Sequence, residues 1–268
     1  MHRKASDILF LCITRLILIL TGTVILLPLF AVLATSVSRQ TTPSVVDFTL
    51  TFHWYRSLFD TFSTEMWLNS LSLSVFAGAI AGLLSAILVM NYWDSRRIRK
   101  ILIVVYLGIT MPAAAYAASL AGVQQWLMPG PAHLGFLIAA DVIWALPFSF
   151  AVTIASVAKI SKNEMRAAAE LTHASGIRTA VSIVLPQARS GLLVGFLIAT
   201  LLTFNEYVRA TYLGGATALM TKSIYGQMAS GADPSVYALG GMNIAFCTAA
   251  LAIVYVMRLV SFHRIRKP

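Results

Sequence analysis

The chain has 268 residues, of which 58% are hydrophobic and only 11% charged, with a formal net charge of +10. A soluble domain carries roughly 25% charged residues, and a soluble core of this length needs far more polar residues to cover its surface. The composition therefore excludes a soluble globular protein and indicates an integral membrane protein; the basic charge then has to be read from its positions.

Six runs approach the roughly 20 apolar residues that cross a hydrocarbon core. In chain order they are expected near Leu16–Ser36, Met66–Tyr92, Ile101–Leu120, Leu134–Ile154, Leu192–Leu213 and Tyr237–Leu259. The start "MHRK" and the stretch Val32-Leu33-Ala34 have the look of a cleaved signal peptide. However, the run from Leu16 exceeds the roughly 7–15 residues of a signal core, so a retained first helix is expected. Of the 20 Lys and Arg, only Arg39, Arg56, Arg209 and Lys222 fall on one side of this arrangement. The positive-inside rule then places both termini in the cytoplasm. The charge is topological, and no nucleic-acid partner is expected.

After the first span, His53, Trp54, Tyr55, Leu58 and Phe59 suggest a short amphipathic helix at the membrane interface. In the second span, Gly78 and Gly82 form a small-residue pair suited to close helix packing. Pro112 and Pro147 are expected to kink the third and fourth spans. "GGATALMTKSIYGQMASGADPS" is punctuated by Gly, Ser and Pro and is expected to include a short helix or re-entrant piece. Cys12 and Cys247 lie in apolar runs and read as small hydrophobes.

The chain between Ala158 and Ser190 is different. "KISKNEMRAAAEL" is rich in helix formers, with Asn163 placed to cap it and Glu164 in the first turn, where the helix dipole favours negative charge. Ser175-Gly176 is the expected turn. "IRTAVSIVLP" then resumes the helix and is expected to stop at Leu185-Pro186, because proline disfavours helical geometry in the residue before it. The result is a cytoplasmic helix–turn–helix hairpin whose triple alanine permits close approach by another protein.

Two carboxylates sit at membrane depth, Asp141 and Glu206, where charge is costly and marks a functional candidate. With Asn205 and Trp144 they form the candidate site within the membrane. A structural pairing of Glu206 with Arg209, three residues on, is the competing reading. Asp141 is equally placed to hydrogen-bond a helix of a second chain. No phosphate-binding Gly-x-x-x-x-Gly-Lys-Ser/Thr loop is present, so the chain is not expected to hydrolyse ATP itself. The five histidines form no metal set, no nucleophile motif is present, and no catalytic residue, metal or cofactor is expected.

The hairpin resembles the "EAA" loop of binding-protein-dependent ABC importer permeases. That motif reads Glu-Ala-Ala, three residues, Gly, nine residues, Ile-x-Leu-Pro. Aligned from Pro186, its alanines are Ala168 and Ala169, and Ile183, Leu185 and Pro186 close it; the family's Glu falls on Ala167 and its Gly on His173. "FTLTFHWYRSLFD", "LNSLSLSVFAGAIAGLLSAILVM" and "LLTFNEYVRATYLGG" are similar to segments of the spermidine/putrescine-type branch. The resemblance implies an all-α, six-span type I permease, one transmembrane domain over residues 1–268. It implies ATPase coupling through Glu164, Ala167, Ala168, Ala169, Glu170, His173, Ala174, Ser175, Gly176, Leu185 and Pro186. It also implies ATP-binding-cassette ATPase subunits that bind the ATP, a second permease, identical or homologous, an extracytoplasmic solute-binding protein, and the bacterial inner membrane. The branch points to a polyamine, aminophosphonate or opine as solute. A self-sufficient, gradient-driven transporter or channel is the alternative. It would require inverted repeats with paired broken helices, and no second copy of any segment is evident.

Overall fold

The computed structural model describes residues 5–39, 49–92, 97–131, 133–158, 163, 167, 170, 176–230 and 235–265. Apart from one antiparallel bridge between Ser38 and Leu50, regular structure among the described residues is helical. The all-α expectation holds. Among the described residues, four helices are long and apolar enough to cross a membrane, and a fifth span is formed if one sharply bent pair counts as one. A shorter apolar run, Ser235–Ala249, lies where the sixth span was expected. Contacts divide the chain into two units, Met1–Phe62 with Gln227–Thr248, and Ser63–Gly226 with Ala249–Pro268.

In the first unit, α1 (Ala5–Ser36) begins well before Leu16, and its most apolar stretch has no buried residue. Among its described side chains the buried ones are Thr35 and Ser36, at its end. The expected interfacial helix is present as α2 (His53–Thr61), which buries Leu58 and leaves Phe59 exposed. Trp54 donates its indole N–H to the Ser38 carbonyl at 2.7 Å. The Ser36 and Tyr55 hydroxyls meet at 2.9 Å. A side chain at Gly241 would collide with both hydroxyls.

The second unit is built on three helices, α3 (Thr64–Tyr92), α6 (Leu134–Val157) and α8 (Leu185–Phe204). Lipid tails are as apolar as Leu, so helices in a membrane associate by close packing and hydrogen bonds rather than by exclusion from water. The contacts here follow that rule. The Gly78–Gly82 pair faces α8: a Cβ at Gly78 would lie 3.0 Å from the Thr200 backbone nitrogen, and one at Gly82 would touch Phe196. Gly195 of α8 approaches α6 so closely that a Cβ would meet the Ser149 carbonyl at 2.9 Å. The Ser85 hydroxyl donates to that of Ser149 at 3.0 Å, joining α3 to α6.

Prolines act in three ways. Helix α4 (Ile98–Leu107) and a short 3-10 turn, Gly108–Thr110, are followed by α5 (Ala113–Leu127) at an angle of 95°. The expected kink at Pro112 is thus a full break. Proline forces the preceding residue out of the helical region, and Met111 is extended at φ −82°, ψ 138°. Pro147, by contrast, is buried inside α6, and the helix continues through it. The expected stop at Leu185-Pro186 does not occur. Instead α7 (Gly176–Thr179) passes through a π-helical turn, Ala180–Val184, directly into α8. A proline lacks an N–H and crowds the carbonyl four residues back; widening the turn ahead of it accommodates both.

The fifth span also differs from expectation. Instead of one run over Leu192–Leu213, α8 ends at Phe204, and α9 (Val208–Leu213) starts after a break at residues 205–207. Gly215, at φ +53°, turns the chain toward α10 (Met220–Ser230). The Ser70 hydroxyl accepts the Met220 N–H at 2.9 Å, tying this return to α3. The last helix, α11 (Ser235–Ile265), belongs partly to each unit.

Candidate functional site

The break in the fifth span is held by charge. Glu206 lies just ahead of α9, and its carboxylate accepts the Arg209 backbone N–H at 3.1 Å. A negative group at a helix N-terminus both satisfies a free donor and meets the positive end of the dipole. The Arg209 side chain then points into the protein and is fully buried. Its Nε donates to Asp141 Oδ1 of α6 at 2.6 Å, and its Nη2 lies 3.2 Å from Glu206 Oε2. The second contact is close enough for an ion pair but is not directed as a hydrogen bond. The guanidinium carbon stands 5.0 Å from the centre of the Trp144 ring, within cation–π range. Trp144 packs in turn on Tyr116 of α5, ring centres 6.0 Å apart.

One cation therefore faces two carboxylates. Asp141 is 1% exposed, whereas the Glu206 side chain retains 16%. Beside them is a cavity of about 10 Å³ lined in part by Ser70, Asp141, Thr203, Glu206 and Thr221. That is room for about one water molecule. Such a group is expensive to bury unless each charge is paired, and the geometry supplies the pairing from three elements.

The sequence candidates are thus partly united. Asp141, Trp144 and Glu206 converge on Arg209, while Asn205 is exposed and donates its side-chain amide to the Leu201 carbonyl at 3.0 Å. Two expectations change. Arg209, counted among the charges outside the membrane, is instead the buried centre of the cluster. Asp141 finds its partner within the same chain. Tyr116 was not singled out, and nothing in its local sequence marks it.

In the coupling segment, Asn163, Ala167 and Glu170 are helical and exposed, so Asn163, expected as a cap, is itself helical. Glu164, Ala168, Ala169, His173, Ala174 and Ser175 lie outside the described residues. Gly176 opens α7. Leu185 and Pro186 start α8, Pro186 exposed and Leu185 partly covered. Next to them, Val184 and Ala188 are buried in a cluster with Val89, Phe150 and Val157. The end of the segment is therefore fastened to all three core helices.

A family model described as "Binding-protein-dependent transport system inner membrane component" matches residues 74–260, from within α3 to within α11. No curated protein matches the chain. Among solved structures, it is similar to a chain of a bacterial ABC transporter involved in the import of the acidic polysaccharide alginate. The TM-score is 0.61 at 17% identity, over 98% of each chain. That likeness is one of fold. The family match covers well over half the sequence, and the chain belongs to the binding-protein-dependent transport system inner membrane components, as a non-catalytic, multi-pass permease subunit of an ABC importer.

Proposed function

We propose that this permease subunit crosses the bacterial cytoplasmic membrane six times with both termini inside. It forms the path for a small cationic or amine-bearing solute of the polyamine, aminophosphonate or opine class. The charge asymmetry of the Asp141–Arg209–Glu206 cluster carries the solute reading. Two carboxylates oppose one guanidinium, and the unbalanced negative charge lies nearest the exterior at Glu206, the partly exposed member. Asp141 and Trp144 act behind it, holding Arg209. The alginate importer that shares the fold handles an acidic polymer, and at 17% identity its cargo is no guide to this one.

Coupling runs through residues 163–187. Asn163, Ala167 and Glu170, each helical and exposed, belong to the surface on which an ATPase subunit docks, and the anchoring of Val184 and Ala188 gives a route for the push into the core. A second permease, two ATPase subunits and an external solute-binding protein complete the assembly. ATP binds to the partners, and movement between inward- and outward-facing states follows as a population shift.

Co-purification tests the coupling. The tagged native chain, expressed with its neighbouring genes and extracted in mild detergent, should bring down an ATPase. Ala168→Asp, which places a charge on the docking face, should lose it while the permease still elutes as a folded species. An ATPase that stays bound to Ala168→Asp at full yield would move the docking site off this hairpin.

A further inference from the structure

The small cavity beside the charge cluster gathers oxygen atoms from four helices and from the break. Ser70 of α3, Asp141 of α6, Thr203 of α8, Thr221 of α10 and Glu206 all line it. Its volume of about 10 Å³ admits one particle the size of a water molecule.

The hydrogen bonds of these groups leave acceptors over. Thr203 gives its hydroxyl proton to the backbone, with the Ala199 carbonyl at 3.0 Å as its nearest acceptor. Ser70 Oγ accepts the Met220 N–H at 2.9 Å and keeps a second lone pair. Asp141 meets Arg209 through Oδ1, and among the described residues its Oδ2 takes no hydrogen bond. Thr221 is only 9% exposed, and among the described residues its hydroxyl makes no hydrogen bond. Buried polar groups are as a rule hydrogen-bonded, so a hydroxyl without a partner on the wall of a polar cavity points to an occupant.

Charge decides what that occupant is. A water would satisfy the hydroxyl but leave the cluster with a net negative charge, which is costly to bury. Arg209 does not line the cavity, so its guanidinium offers no anion site there. The C-terminal end of α8 is partly negative and the N-terminal end of α10 partly positive, about half a charge each, so the dipoles oppose and the carboxylates prevail. One monovalent cation brings the cluster to neutrality. The ligands are all oxygens, which suit hard ions. Magnesium keeps several waters and calcium takes about six to eight oxygens, more than a space for one particle allows, and no carbon chain fits beside the ion.

We propose that Asp141, Glu206 and Thr221, with Ser70 and Thr203, form a binding site for a single dehydrated alkali-metal ion. The site rests on neither the solute nor the coupling reading; a cationic solute that reaches Glu206 competes with the ion.

Thermal unfolding of the full-length chain in detergent tests it, with sodium chloride or potassium chloride replacing choline chloride at constant ionic strength. At least one of the two salts should raise the midpoint along a saturable curve, by about 5 °C at a hundredfold excess over Kd. Thr221→Val, which keeps the shape and loses the hydroxyl, should move that curve to about tenfold higher salt, the factor of one contact to a charged group, and leave the midpoint in choline unchanged. Glu206→Gln, which removes the unbalanced charge, should abolish the response. A native chain that responds to neither salt beyond choline overturns the proposal and leaves a water as the occupant. A response that either variant retains at native affinity also overturns it, because the ion is then bound elsewhere.

Discussion

Helices α3, α6 and α8 are joined along most of their length by shape, and at one end by charge. In the first region Gly78, Gly191 and Gly195 bring backbones together, and the close approach they allow is joined by hydroxyl bonds such as Ser85–Ser149. In the second, Asp141, Arg209 and Glu206 tie α6 to the broken end of the fifth span through a guanidinium with no exposure to solvent. The two regions should fail differently. Packing by small residues loses stability in proportion to added volume, and a buried charge cluster loses it when the balance of charge is upset, whatever the volume.

The largest effect is expected from Arg209→Met, which keeps an unbranched apolar stem, removes the guanidinium and strands two carboxylates. Removing one partner of a buried pair costs about 3–5 kcal/mol, so the melting temperature in detergent should fall steeply. Asp141→Asn in the same chain should recover part of the loss, since the two residues are directly paired and will not behave additively. An Arg209→Met protein that melts with the native one would show that the charges do not hold this end together.

Next in size is Gly195→Ala. The added methyl meets the Ser149 carbonyl and Cα, rigid backbone atoms that cannot swing aside. Overpacking of this kind costs about 1–3 kcal/mol, read as a lower thermal midpoint, and Gly122→Ala, where a Cβ has open space, is the matched control. Equal midpoints for the two variants would remove the distinction between the regions.

The smallest effect on stability belongs to Glu206→Gln, which keeps an oxygen for the Arg209 N–H and lies at the partly exposed edge of the cluster. Its cost should stay near 1 kcal/mol, within the range of a single net hydrogen bond. ATP-driven uptake of a cationic solute into proteoliposomes of the complete importer should nevertheless drop severalfold. Uptake that is unchanged while stability falls would assign Glu206 to structure alone.

Much of this was legible in the sequence because it is written locally. The apolar runs, the amphipathic helix at His53–Thr61, the close pair Gly78–Gly82 and the spacing of Glu206 and Arg209 each depend on residues within a few turns of one another. The pairing of Asp141 with Arg209 spans 68 positions, and no local pattern announces it. Arg209 was misplaced for a related reason. Near the end of an apolar run, a basic residue reads as a boundary charge, and only the break at residues 205–207 turns it inward. The three prolines make the same point: Pro112 is exposed and breaks its span, Pro147 is buried and does not, and Pro186 is absorbed by a π turn. The same residue gives three outcomes because packing around it, which the sequence does not spell out, decides whether the freed carbonyl finds a partner.

The close approach of α8 to its two neighbours also bears on how such a protein can change over time. Gly78 lies against Thr200, Gly191 against Ser156 and Thr153, and Gly195 against Ser149. At each crossing one helix yields space to a hydroxyl-bearing residue on the other, so neither side can grow unless the opposite one shrinks. Substitution there is a two-step affair, and among related permeases these positions should drift as matched pairs, a size written on one helix and its complement on the next.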